Sequence, residues 1–302
     1  EKGIHTDAVF RTSNPGDTLD FIHRRTDTAD IYFIRNPYPR NISMVAEFRV
    51  KDKQPECWDP VTGTITPLFI YNSDVTSTKV PLSLPPQGSV FIVFYQQQQR
   101  NMVVEKDGIT IFPAVMVPDK WPFTDLGNES VALSEEGSFS VFQTSDDSMM
   151  LLKTSPEAVK LEGSWDVSFL DPWHNKFNVD FKELKSWSSF DVHRIKYFSG
   201  TATYFKTFNI PEETFQSPKQ VILDLGRIEE VGEVFINGDS VGLVWNNPAR
   251  TDITNWIKPG NNELKIEVVN RWPNRMIGDY KLPERKRNVK SSIVTLPTAW
   301  HA

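Results

Sequence analysis

An all-β architecture of two sandwich domains is the fold this sequence predicts, and three observations predict it. Short β-branched and aromatic runs recur along the chain, Pro, Gly, Asn and Asp punctuate them, and helical periodicity is nearly absent. The 302 residues, 39% hydrophobic and 24% charged, are enough to bury two cores without covalent staples.

Taken in order, 30–35, 45–50 and 90–94 read as strands. The last, Val-Phe-Ile-Val-Phe, is apolar on both faces and suits a central strand. Asp59-Pro-Val-Thr-Gly63 and Pro85-Pro-Gln-Gly88 carry turn chemistry. Residues 137–144 and 148–153 read as a strand pair, and a fresh strand opens over 161–169. The boundary therefore falls near 155–160, giving domains 1–157 and 158–302. In the second domain, 181–187 is the one candidate for a short helix. Val221, Leu223 and Leu225 alternate, and Asn237-Gly238 after Val234-Phe-Ile236 marks a tight hairpin, because both residues tolerate positive φ. After the turn at Pro259-Gly260, Leu264, Ile266 and Val268 share one strand face and Glu263, Lys265 and Glu267 the other.

Composition excludes several function classes. A formal net charge of −6 gives no basic stripe for a nucleic-acid backbone. The single cysteine, Cys57, rules out an intrachain disulfide and a cysteine-built zinc site, and the five histidines show no ligand spacing. No apolar run reaches the ~20 residues of a membrane helix, and no basic-then-apolar leader opens the chain. It begins Glu1-Lys2 instead of Met, as expected of a processed product or a piece of something longer.

Two groups of residues resemble known families. Leu223-Asp-Leu-Gly226, Val234-Phe-Ile-Asn-Gly238, Thr251-Asp-Ile-Thr254 and Leu264-Lys-Ile-Glu-Val268 resemble the galactose-binding-like jelly roll of glycoside hydrolase family 2. Tyr197-Phe-Ser-Gly-Thr-Ala-Thr-Tyr204 with Asn270-Arg-Trp-Pro-Asn-Arg-Met-Ile-Gly-Asp279 is similar to the C-terminal region of family 106, the α-L-rhamnosidases. Phe21-Ile-His-Arg24, Asp30-Ile-Tyr-Phe33 and Trp58-Asp-Pro60 resemble the sandwich that follows their catalytic barrel. The resemblance implies that 158–302 is a galactose-binding-like jelly roll. It also implies that the barrel with its acid and base carboxylates lies outside this sequence, which has no alternating strand and helix pattern to build one.

Sugar sites stack a pyranose on an aromatic ring and hold its hydroxyls with planar polar groups. Trp245, Asn247 and Arg250 form one candidate group for carbohydrate or barrel contact, with packing of Trp245 as the alternative. Trp272, Asn274, Arg275 and Asp279 form another, in which Asp279 pairs with Arg275 or Arg271, or the whole segment braces the sandwich. His23 and Arg24 fall near the barrel interface by the family resemblance, with a buried ion pair as the alternative. No catalytic residue is assigned, so enzymatic activity of this chain is left open. Calcium is the one candidate ion, on the oxygen-rich loop 171–180; no other cofactor is expected. The sequence thus reads as a non-catalytic, carbohydrate-binding accessory region of a bacterial α-L-rhamnosidase-like enzyme, periplasmic or secreted. Its expected partners are a rhamnose-containing glycan and the catalytic barrel. A free-standing lectin-like protein and a structural interaction module are the alternatives.

Overall fold

The computed structural model describes residues 6–113, 116–127, 129–144, 149–154, 159–215, 220–246 and 248–289. The chain divides into two compact units, Glu1–Ala158 and Val159–Ala302. Every strand pair among the described residues is antiparallel, so the all-β expectation holds and no parallel barrel is built from them.

The first nine strands of unit 1 are β1 (Ala8–Thr12), β2 (Asp20–Arg25), β3 (Asp30–Arg35), β4 (Ile42–Phe48), β5 (Lys53–Trp58), β6 (Ile65–Pro67), β7 (Asn72–Ser73), β8 (Thr78–Leu84) and β9 (Ser89–Gln97). They form two sheets, ordered β1-β4-β8-β7 and β2-β3-β9-β5-β6. Alternation sends Met44, Ala46, Phe48, Val80 and Leu82 of the first against Tyr32, Ile34, Ile92 and Phe94 of the second. Phe48 is at the centre, its ring 4.7 Å from Tyr32 and 5.2 Å from Phe94. Burial pushes the Tyr32 hydroxyl far above its ordinary range.

Strand β4 is buried on both faces, because a further layer covers its other side. That layer holds β10 (Met102–Lys106), β11 (Ile109–Phe112), β12 (Phe123–Gly127), β13 (Ser130–Leu133), β14 (Gly137–Gln143) and β15 (Met149–Thr154). Val45 packs there with Phe69, Met102, Val104, Phe112 and Val141. The Trp121 indole, 3% exposed, donates to the carbonyls of Met44 and Leu82, so its polar atom is satisfied in the core. Unit 1 is therefore a sandwich with an added third layer.

Strand β9 is central, as its sequence predicts, yet on its second face Val93 is buried while Phe91 is only partly covered and Tyr95 exposed. Register aligns Ile22, Phe33, Phe91, Trp58 and Ile65 in one row across five strands of that face. Ile22 is 55% and Ile65 52% exposed, and a groove of about 300 Å³ runs beside Ile22, Arg24, Ile31, Phe33 and Phe91. In the adjacent row the buried Glu56 accepts hydrogen bonds from the Trp58 indole at 2.8 Å and the Tyr95 hydroxyl at 2.7 Å.

Unit 2 contains β16 (Trp165–Leu170), β17 (Lys176–Phe181), α1 (His193–Lys196), β18 (Thr201–Ile210), β19 (Ile222–Asp224), β20 (Val231–Ile236), β21 (Asp239–Val244), β22 (Arg250–Asp252), β23 (Gly260–Val269) and α2 (Pro273–Tyr280). Six strands form one sheet, β17-β16-β18-β23-β20-β21, and β19 pairs with β22. Val167, Phe169, Ala202, Val234, Ile236, Leu264 and Ile266 share its core with Leu223, Ile228, Ala249 and Ile253. Asn237 and Gly238 adopt φ of 54° and 96°, the geometry expected for the hairpin. Asn237 also bonds Asn262, which is fully buried and anchors the turn before β23 through Lys258 and Gly260. The helix expected over 181–187 is absent. Phe181 ends β17 and Leu184 is 53% exposed, so the segment has no apolar stripe to bury, and a 3-10 turn forms instead at Trp187–Ser189. No helix among the described residues is long and apolar enough to cross a membrane.

Two outcomes follow. Burial, then the nearby Asp59 and Asp125 carboxylates, push the Cys57 thiol up to about 12. In native protein at about pH 8 a disulfide reagent should leave Cys57 unmodified and label it only on denaturation; fast native labelling would contradict its placement. Asp74 accepts from the Thr76 hydroxyl and from the Thr76 and Ser77 amides, which hold its carboxyl at about 2, below the ordinary 3.8. Its contribution is complete above the ordinary value and lost as pH falls through the lowered one. Asp74→Asn should flatten the loss of urea resistance between about pH 4 and about pH 2.

Candidate functional site

Two segments 72 residues apart build the most developed surface of unit 2. Asn270, just past β23, accepts the Gly200 amide at 3.0 Å and donates to the Phe198 carbonyl at 2.9 Å. Ser199 donates to the Arg271 carbonyl at 3.0 Å and accepts the Arg275 amide at 3.3 Å. Both glycines are forced by proximity: a Cβ on Gly200 would lie 2.4 Å from the Leu170 carbonyl oxygen, and one on Gly278 2.6 Å from the Tyr197 Cβ. The 197–204 and 270–279 motifs, separate in sequence, are therefore one structural joint.

The joint launches α2, whose Pro273 stands where a missing N–H costs nothing. Trp272 precedes it, 45% exposed, with its ring 5.9 Å from that of Trp173 at an interplanar angle of 75°. Trp173 is presented by the turn between β16 and β17. There the Asp171 carboxylate accepts the amides of Trp173 and Asn175 and the Asn175 side chain, and His174 takes φ of 66°. Arg275 lies 5.4 Å from the Trp173 ring centroid and pairs with Asp279 at 3.0 Å, while its buried Nε meets no acceptor among the described residues. Asp279, 3% exposed, uses its other oxygen for the Asn288 and Val289 amides, at 2.8 and 2.7 Å.

Of the residues singled out from sequence, Trp272, Arg275 and Asp279 thus converge. Asp279 pairs with Arg275, and Arg271 with Glu230 at 2.7 Å. Asn274 is half-buried beside them on α2. Trp245 stands 53% exposed just after β21. Arg250 pairs with Asp224 at 2.8 Å; burial raises the Asp224 carboxyl, but the Gly226 amide and Arg250 outweigh it and hold the group below its ordinary value. Asn247 lies outside the described residues. In unit 1, His23 stacks on Tyr32 at 4.1 Å with its ring nitrogens facing Asp7 at 3.1 Å and Asp30 at 3.3 Å, whereas Arg24 is exposed beside the apolar groove. Trp173 was not singled out. Its signal is an indole in an Asp-Pro turn, where no inward strand position exists for it. Among the described residues no three His, Cys, Asp or Glu side chains gather as a metal site. Asp279→Ala should strand the Arg275 guanidinium and two amides, lowering stability by about 2–4 kcal/mol in urea unfolding of the whole chain; an unchanged midpoint would remove its anchoring role.

Residues 1–73 match the glycoside hydrolase family 106 model, described as alpha-L-rhamnosidase, and residues 190–294 match the glycosyl hydrolase 2 galactose-binding domain-like model. A curated protein of Formosa agariphila, named "Putative beta-glucuronidase", is 46% identical over 138 residues, 45% of this chain and 12% of that protein. The solved rhamnosidase of Novosphingobium sp. PP1Y is 29% identical with a TM-score of 0.66, across 91% of this chain and 22% of the enzyme. The chain therefore spans less than a quarter of the length of either protein. With residues 1–73 similar to the family 106 α-L-rhamnosidases and residues 190–294 to the family 2 galactose-binding-like domain, the chain resembles a partial region of a rhamnosidase of the kind solved from Novosphingobium.

Proposed function

We propose that this chain serves glycan breakdown as a non-catalytic, carbohydrate-binding accessory region of an α-L-rhamnosidase-like glycoside hydrolase, outside the cytoplasm. The observation that carries the reading is the Trp173, Trp272 and Arg275 surface. Two half-exposed indoles set edge to face offer an apolar platform to a pyranose, and a guanidinium beside them offers donors to its hydroxyls. The similarity to a rhamnosidase across 91% of the chain favours a rhamnose-containing glycan as the ligand.

A structural role accompanies it, favoured by a different observation. The row from Ile22 to Ile65 is an apolar stripe about 19 Å across five strands at their usual spacing, and the exposed Arg24 lies at its margin. In this reading the stripe packs against the catalytic barrel, which supplies the acid and base carboxylates.

Calorimetric titration with rhamnose-containing oligosaccharides should show binding that Trp272→Ala and Trp173→Ala each weaken at least about tenfold. Unaltered binding in both variants would sink the assigned surface. The chain by itself should not hydrolyse aryl rhamnosides; turnover abolished by an acidic-residue substitution would overturn the non-catalytic reading.

A further inference from the structure

A second polar concavity lies in unit 1, formed where the hairpin of β12 and β13 meets β6. Asp125 accepts the Phe69 and Ile70 amides on one oxygen, at 2.7 and 2.6 Å, and the Gly127 amide on the other at 2.8 Å. Burial raises this carboxyl above its ordinary range in spite of those bonds. Gly127, at φ of 76°, lets the hairpin lie flush on β6, since a Cβ there would sit 2.8 Å from the Pro67 carbonyl oxygen. The wall is thus fixed by backbone contacts. Beside it opens a cavity of about 310 Å³ lined by Gln54, Pro67, Phe69, Arg100 and Glu129.

The lining is built for neither an apolar ligand nor a bare anion. Arg100 has a side chain only 18% exposed, yet among the described residues its guanidinium makes one hydrogen bond, to Glu129 at 3.2 Å. A guanidinium has five N–H donors, so most are left for something else. Glu129, 68% exposed, contributes acceptors at the same spot and would repel a phosphate or carboxylate. Gln54 donates its amide to the Leu68 carbonyl at 2.9 Å, which leaves its own carbonyl oxygen as a further acceptor. Pro67, partly exposed, adds a small apolar edge, whereas Phe69 is 3% exposed and belongs to the core behind it. Donors and acceptors converging in one polar concavity match the vicinal hydroxyls of a neutral ring, and the volume lies at the lower end of that of ligand sites.

We propose that this cavity binds a single neutral sugar ring, with Arg100 and Glu129 holding adjacent hydroxyls and Gln54 accepting from a third. It is separate from the Trp173 and Trp272 surface and stands or falls independently of it. The test is NMR titration of the full chain with L-rhamnose, D-galactose and D-glucuronate, in wild type and in Arg100→Met, Gln54→Leu and Trp272→Ala. At least one neutral sugar should shift the resonances of the residues lining this cavity, with the affinity read at those resonances falling at least about tenfold in Arg100→Met and in Gln54→Leu; Trp272→Ala, which removes part of the other surface, should leave the affinity read at this cavity as in wild type. Far-UV circular dichroism and the amide spectrum confirm that each variant is folded. Preference for glucuronate, neutral-sugar binding equal in wild type and Arg100→Met, or no shift in this cavity with any of the three would each overturn the proposal. A neutral-sugar response lost only in Trp272→Ala would overturn it while sparing the other surface.

Discussion

The second unit depends on one asparagine. Asn270 holds the start of β18 and the exit of β23 together by bonding the backbone on either side of Ser199, and Ser199 returns the favour to Arg271 and Arg275. An eight-residue helix has too few turns to be stable alone, so α2 exists because this joint and the packing behind it hold its first turn. The two glycines at the joint explain the closeness of its parts, since neither position has room for a methyl group. Every property assigned to Trp272 and Arg275 follows from the direction in which this joint launches the helix.

The same economy of fixed backbone recurs elsewhere. Asn262 has no exposed surface, yet both ends of its amide are used: it accepts from Lys258 and Asn237 and donates to Lys258 and Gly260. The partly buried Asp125 and the buried Asp279 are carboxylates that each collect backbone amides from a neighbouring segment. Buried polar groups of this kind fix loops where apolar packing alone would permit several arrangements. The hydrophobic cores make the sheets, and these few side chains decide how the connections between them lie.

What the sequence made legible was whatever has a short period. Strands β3, β9, β20 and β23 and the Asn237-Gly238 turn declare themselves through alternation and turn chemistry, and the likeness of residues 1–73 and 190–294 to two family models was visible in contiguous motifs. The misses share one cause, dependence on distant partners. Residues 181–187 have helix-forming composition, but only Phe181 and Trp187 at its two ends pack on the core, which is no helical stripe, while α2 buries Gly278 and Asp279 instead of an apolar stripe and gave no helical signal. The third layer of unit 1 was hidden because a strand apolar on both faces does not say which second face is covered: β4 has both covered, and β9 has one only partly covered. Trp173 reaches Trp272 across 99 positions of sequence, a distance no local pattern encodes.

The clamp on Glu56 has a consequence for that outward face. With one oxygen taken by an indole and the other by a phenol, whose hydroxyl the carboxylate holds above its ordinary range, this charge is occupied from within the sheet. Ionic strength therefore acts unevenly across the face. A body lying over Trp58 meets hydrocarbon and ring edges and would hold on in concentrated salt, whereas one resting on Arg24 meets an open charge that mobile ions screen within about 10 Å at 0.1 M.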